Sequence, residues 1–347
     1  MSWNAEILKS KLYNLQQKVV DITDPYKKFI LLNDIYEIKL MLNYKYPDST
    51  YSISSDETKF KILDIPDYVN MVDFLKKIGP QLANELNILS QRSVRPLFLF
   101  SRTISDTDAE KLIISFLKEF DEELLDLYIK YKNENRIETG KNPFVSRTCC
   151  GKCFPILSEQ DNYIYTKFNK KIYDVSVLCH ELAHAKQYTG VKNALISQRK
   201  QASILSEAYP IFVQLCFWDY LKNTKYHKSA LSEEGSMIDN FFVYIEYSLY
   251  FLYHVKDANF TNDGYLNGKG FGNMAHMLEL LLSKILALYW KSLYLRDPEA
   301  AKIEVDKFNE SYGVDNLEQQ YNRYGTDELM RGLSISINDY KRRVLSK

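Results

Sequence analysis

The chain has 347 residues, 46% hydrophobic and 26% charged, and its Lys+Arg and Asp+Glu counts balance at 45 each. That balance excludes a global field drawing the chain to nucleic acid or an anionic membrane surface, and the apolar content suits a folded protein with a substantial core. Five cysteines, an odd number in a chain of this length, argue against a disulfide framework and fit a reducing, cytoplasmic setting.

The N-terminal MSWNAEILKSKLYNLQQKVV has charges spaced through it and lacks the apolar core of a signal peptide. Apolar residues at three- and four-residue spacing predict helices over 5–20, 25–44, 66–91 and 107–134, the last with N-cap candidates in Ser105 to Asp108. From about residue 136 the texture changes. RIETGKNPFVSRTCCGKCFPIL is irregular and β-prone, and NYIYTKF over 162–168 alternates as a strand does, so a small sheet is expected. Within it Cys150-Gly-Lys-Cys153 is a lone pair, read as a strand of small residues rather than a metal or redox motif.

Helical spacing resumes over 173–188, 195–222, 235–256, 272–295, 298–311 and 325–345, with a glycine-rich loop, DANFTNDGYLNGKGFGN, between the third and fourth. The most apolar stretches, FFVYIEYSLYFLYHV and MLELLLSKILALYW, are short and contain Glu246, Glu279 and Lys284; they read as buried helices, not membrane spans. The change of texture suggests a helical N-terminal lobe over 1–135 and a second domain over 136–347, unless the two form one continuous domain.

The stretch LCHELAHAKQ, 178–187, carries two of the five histidines. On a helix, residues four apart differ by about 40° in direction and about 6 Å in height, so His180 and His184 can reach one ion. Glu181 points about 100° away from His180, placed to touch a water rather than to bind the metal. The plainer alternative is a helix whose histidines only satisfy hydrogen bonds. A catalytic zinc takes three protein ligands and leaves a fourth place open. Glu207, in the apolar SILSEAYPIFVQLCFW, is the candidate third ligand, since an unpartnered carboxylate there would be costly. An exposed helix-face glutamate is the other reading of that residue.

The stretch from 150 to 188, CGKCFPILSEQDNYIYTKFNKKIYDVSVLCHELAHAKQY, resembles the zinc peptidases of the thimet oligopeptidase and oligoendopeptidase F family, in which a strand and an Asp precede "L-x-H-E-x-G-H-A". Ser206-Glu207-Ala208 followed by Pro210 is similar to the family's glutamate-ligand segment, and ILALYWKSLYLRDPEAAKIEVDKFNESYGVDNLEQQ to the helices that close its catalytic domain. The resemblance implies a mainly α, zincin-like catalytic domain with a small β-sheet and a reduced helical N-terminal lobe, the active site lying in a cleft between them. It implies one zinc ion per chain held by His180, His184 and Glu207, and hydrolysis of short peptides by a zinc-bound water with Glu181 as base.

Three departures from the family pattern stand out. Ala183 replaces a common glycine, and Pro210 stands one place late, which would delay any kink. NMAHMLELLLSKILALYW has His276 and Met277 where the family has tyrosines that hydrogen-bond the oxyanion. His276 is therefore a candidate catalytic substitute, with Tyr265 of the glycine-rich loop, or His254 beside Tyr253, as candidate substrate contacts. Tyr165 is a further candidate, on a strand whose edge a peptide would extend. The rival to an active peptidase is a pseudo-peptidase that binds a peptide or protein partner without cutting it. A structural metal in a helical scaffold fits less well, because such sites take four protein ligands. Neither a nucleic-acid nor a membrane partner is expected, and the sequence assigns no oligomeric state.

Overall fold

The computed structural model describes residues 4–45, 51, 68–90, 102–140, 150–159, 161–190, 203–257, 265–266, 269–270, 272–312, 315 and 317–345. The architecture is mainly α with a small three-stranded sheet, as the sequence predicts. The chain divides into two compact units, one of Met1–Ile65 and Thr103–Asn193, the other of Pro66–Arg102 and Ala194–Lys347. Among the described residues no helix is long and apolar enough to cross a membrane.

In the first unit, α1 (Ala5–Val20) starts where the Asn4 side chain accepts the backbone N–H of Glu6 at 2.9 Å, and it buries Leu8, Leu12 and Leu15 at helical spacing. It packs on α2 (Pro25–Lys45), and α2 packs on strand β2 (Gly151–Ile156). The sheet has the order β1 (Ile137–Gly140), β3 (Asp161–Lys167), β2 (Gly151–Ile156), with β3 parallel to β1 and antiparallel to β2. Phe154, Ile156, Tyr163 and Tyr165 of the sheet join Leu8, Leu12, Leu15 and the inner face of α2 in one core. Asp34 of α2 accepts the N–H groups of Leu157 (2.8 Å) and Ser158 (3.0 Å), fixing the end of β2 to the helix; burial raises its carboxyl, and those bonds oppose the rise.

The expected helix over 107–134 is two, α4 (Asp106–Phe120) and α5 (Glu122–Asn133). Asp121 takes extended backbone between them, and its side chain caps α5 by accepting from Glu123 and Leu124. The same carboxylate meets the Lys186 ammonium at 2.7 Å, so a capping residue is also an anchor for a later helix. Helical spacing alone hides this break, because both pieces bury residues of one period.

NYIYTKF forms β3, but it is the central strand, paired on both sides and buried from Asp161 to Thr166. The expected addition of a peptide to its edge is therefore incorrect, since β1 and β2 occupy both edges. Tyr165 lies in the core at 3% exposure, its hydroxyl donating to the Gly140 carbonyl at 3.3 Å and its ring against Tyr44.

In the second unit, α7 (Ala208–Tyr220) is buried at every position from Ala208 to Trp218, as suits a helix that is apolar all round. Pro210 falls in its first turn, where a missing N–H leaves no bond unmade, so the proline starts the helix rather than kinking it. Around it, α9 (Gly272–Tyr294) packs against α7, α8 (His227–His254), α10 (Pro298–Ser311) and α12 (Thr326–Leu345), and α3 (Tyr68–Ser90) packs against α8. Arg343 grips Glu234 through two bonds, 2.7 and 2.5 Å, tying α12 to α8. A short helix, α11 (Leu317–Asn322), and a two-stranded ladder, β4 (Tyr265–Leu266) with β5 (Lys269–Gly270), complete the described elements.

Asp121→Ala removes a cap and a buried ion-pair partner together. It is expected to lower the unfolding free energy by roughly 2–4 kcal/mol in urea titration; a loss under about 0.5 kcal/mol would show that Lys186 is held without it.

Candidate metal centre

The histidine helix, α6 (Ile172–Gly190), is fixed at both ends before its side chains do anything. At its start Lys170 has a φ of 60°, in the left-handed region that costs an L-residue about 1–2 kcal/mol. The Asp174 carboxylate spans that turn by accepting the N–H groups of Asn169 (2.7 Å) and Lys171 (2.9 Å). Burial raises the Asp174 pKa, and these two bonds pull it back. Towards the other end, the Asn162 amide on β3 donates to the Ala185 carbonyl (3.2 Å) and the Tyr131 hydroxyl (3.0 Å), and Lys186 is held by Asp121.

On this helix the His180 and His184 rings are 4.8 Å apart between centroids and inclined at 77°, and Tyr188 stacks on His184 at 5.6 Å. Glu181 and His184 are each 6% exposed, so both act in surroundings largely cleared of bulk water. Strand β2 approaches the helix at Gly151. A Cβ added there would lie 2.6 Å from Glu181 Oε1 and 2.7 Å from Val177 Cγ1, contacts that only glycine avoids. The strand backbone thereby limits where the Glu181 carboxylate can stand.

Glu207 immediately precedes α7. Its carbonyl accepts the Ile211 N–H, while its side chain makes no capping bond to the helix. Its electrostatic neighbours within the second unit are mixed. Burial lowers the Lys284 ammonium to about 8, with the Glu207 carboxylate opposing that fall, and Lys284 lies over the Tyr244 ring at 4.4 Å. Burial raises Glu279, with Glu207 adding to the rise and His276 opposing it. Burial also raises the Tyr312 phenol, again with a contribution from Glu207.

The sequence singles out His180, His184 and Glu207 as ligands. His180 and His184 stand together on α6 in the first unit, and Glu207 stands at the start of α7 in the second. The donor set, two imidazoles and one carboxylate, suits zinc and leaves a position open. Of the other candidates, His276 is near enough to Glu207 to feel its charge, and the rest are not grouped with these residues. His276 has its Nδ1 3.6 Å from Glu279 Oε2 with 68% of its side chain exposed; the Glu279 bond raises its pKa more than burial lowers it, and Glu207 adds to the rise. His254 ends α8, its ring 4.6 Å from that of Tyr250 and tilted at 45° to it, and the neighbouring Tyr253 hydroxyl donates to Asn84 at 3.3 Å. Tyr265 enters the β4–β5 ladder opposite Gly270, and its side chain lies outside the described residues, as does most of the glycine-rich loop. Cys153 is buried, which raises its thiol well above the ordinary value and suits the plain strand reading of the cysteine pair. Asp174, Gly151, Lys284 and Tyr312 were not singled out by sequence. Only the Asp that precedes the histidine helix in the resembled pattern offered a signal.

No family profile and no curated protein matches the chain. Three solved structures share its fold. A "putative peptidase from Chlamydophila abortus" superposes with a TM-score of 0.53 at 14% identity, over 92% of this chain and 62% of the other. A "putative oligoendopeptidase F from Bacillus anthracis str. Ames" gives 0.53 at 12% identity, over 91% and 64%. Another "putative Oligoendopeptidase F" gives 0.51 at 12% identity, over 93% and 66%. The chain thus spans less than two thirds of the length of each, and at such identity the likeness establishes the fold.

Two outcomes follow from the packing around the helices. Gly151→Ala is expected to cost roughly 1–3 kcal/mol of stability, because Glu181 or Val177 must move; an unchanged melting temperature would show that β2 has room to give. For Lys284, the folded pKa of about 8 lies below its ordinary 10.5, so between those values the unfolded chain binds more protons and stability rises with pH. Lys284→Met is therefore expected to gain stability over wild type near pH 7 and to lose that advantage as the pH rises from 8 towards 10.5; a difference independent of pH would contradict the assignment.

Proposed function

We propose that the chain is a metallopeptidase that hydrolyses short peptides, using one zinc ion held by His180, His184 and Glu207. The observation that carries this reading is the pairing of His180 and His184 on α6, their ring centroids 4.8 Å apart, with Glu181 following the first of them on the same helix. When bound, the ion supplies Lewis acidity that favours ionisation of water and polarises the scissile carbonyl. Glu181, confined by Gly151 and mostly screened from solvent, accepts the proton of the attacking water and passes it to the leaving amine. Asp174 and Asn162 hold the helix so that the imidazoles keep their positions. The shared fold with peptidases supports the class of reaction.

His276 is the group we assign to the developing oxyanion, since its neighbour Glu279 raises its pKa and so favours the protonated, donating form. A non-cutting peptide binder is the second reading, favoured by Met277 in place of a hydroxyl donor.

Metal analysis with cleavage of a quenched-fluorescent peptide library separates the two. Wild type is expected to carry about one zinc per chain and to cut. Glu181→Gln is expected to keep the metal and lose cutting by about 10²–10⁴-fold, and His184→Ala and Glu207→Gln to lose both. Zinc without cutting in the wild type would favour the binder, and wild type without metal would overturn both readings.

A further inference from the structure

We infer that the first unit carries a second binding site, at the outer edge of its sheet, for an extended peptide segment that inserts one large apolar side chain. The site is a cavity of about 520 Å³, within the range of ligand-binding clefts. Its apolar wall comes from Ile113 of α4, Tyr128 of α5, Ile137 of β1, Phe168 and Leu178 of α6. None of its lining residues is a candidate for the metal centre.

Among the described residues strand β1 is the outermost strand, with β3 on one side only. The Ile164 N–H donates to the Arg136 carbonyl at 2.9 Å, and the Phe168 N–H to the Gly140 carbonyl at 3.3 Å. In a parallel ladder alternate residues turn their backbone groups to the partner, so 136, 138 and 140 face β3, and Ile137 and Thr139 present N–H and C=O groups to the outer edge. Those two residues also line the cavity. A strand edge and an apolar pocket thus lie together, the two parts that strand-adding recognition requires: main-chain bonds for affinity and a pocket for a side chain.

The charges at this site decide which ligand class fits. Lys132 is paired with Glu110, and Lys170 lies 3.8 Å from Asp106, all four with substantial exposure. Each lysine faces a carboxylate, so the rim offers no net positive charge to a phosphate or a nucleic acid. A lipid or other purely apolar molecule would fill the pocket and leave the edge groups without use. An uncharged extended peptide satisfies the edge, the pocket and the balanced rim together.

The test uses the full chain carrying Glu181→Gln, so that the probe is not cut. The probe is a fluorescein-labelled, N-acetylated heptapeptide alternating Thr and Ser around a central p-benzoylphenylalanine. Saturable binding is expected by fluorescence anisotropy, with photo-crosslinks falling within 106–140 and 168–178. Affinity is expected to drop about tenfold when the probe's amides flanking the central residue are N-methylated, and by a similar factor on Thr139→Pro, which removes an outward N–H. Adding His184→Ala is expected to leave binding unchanged. The inference is overturned by an absence of saturable binding, by crosslinks that fall only outside those segments, by equal affinity of the N-methylated probe, or by a concentration-dependent dimer that blocks the probe, which would show a second copy on the edge. The N-methylated probe acts on an unaltered protein, so the test survives a Thr139→Pro chain that fails to fold.

Discussion

The contact between α6 and the sheet is the constraint on which the candidate centre rests. A helix carrying His-Glu-x-x-His is chemically useful only when its side chains stand still relative to one another and to what they act on. Here the strand backbone at Gly151 comes so close to Glu181 and Val177 that a methyl group would not fit, and Asn162 on the central strand bonds the helix backbone from the same side. The opposite face of the sheet is sealed by α1 and α2, so β3 is buried from both directions and cannot yield to let the helix drift. Asp174 and Asp121 then fix the two ends of the helix through charge-assisted bonds, which are stronger than neutral ones.

The surroundings of Glu207 follow a different logic. A carboxylate at the start of a buried apolar helix benefits from the positive end of the helix dipole, yet it also has Glu279 nearby, which disfavours a second negative charge. Lys284 offsets this, a buried ammonium that burial disfavours and Glu207 favours. Such a set of mutually adjusted charges is costly in a purely structural core, where apolar residues of the same volume would do as well or better. Its presence beside the candidate third ligand is consistent with selection for chemistry rather than for stability alone.

Much of this was legible in the sequence, and the exceptions have physical causes. The long helices announce themselves through their apolar period, and the His180–His184 spacing places two imidazoles on one face of any helix that contains them. The break at Asp121 was hidden because an N-cap between two helices of one period looks like a polar residue inside a single helix. The central position of β3 was hidden because strand order depends on pairing partners far along the chain; its alternation announced a strand and not its neighbours, and the two layers of helix that cover it lie beyond any local pattern. The need for glycine at 151 is likewise a tertiary fact, created by a helix more than twenty residues later. Glu207 was nameable because a lone carboxylate in an apolar run demands a partner; Lys284 also stands in an apolar run but served only to argue against a membrane span, and Tyr312 gave no such signal.

The candidate centre is defined by which atoms hold the ion. Crystals grown with zinc and measured on both sides of the zinc absorption edge would locate it by anomalous scattering. One peak per chain is expected, about 2.0–2.2 Å from an imidazole nitrogen of His180, one of His184 and a carboxylate oxygen of Glu207, with a fourth position not filled by protein. A peak at other residues, a fourth protein ligand closing the site, or no peak in zinc-saturated crystals would contradict it.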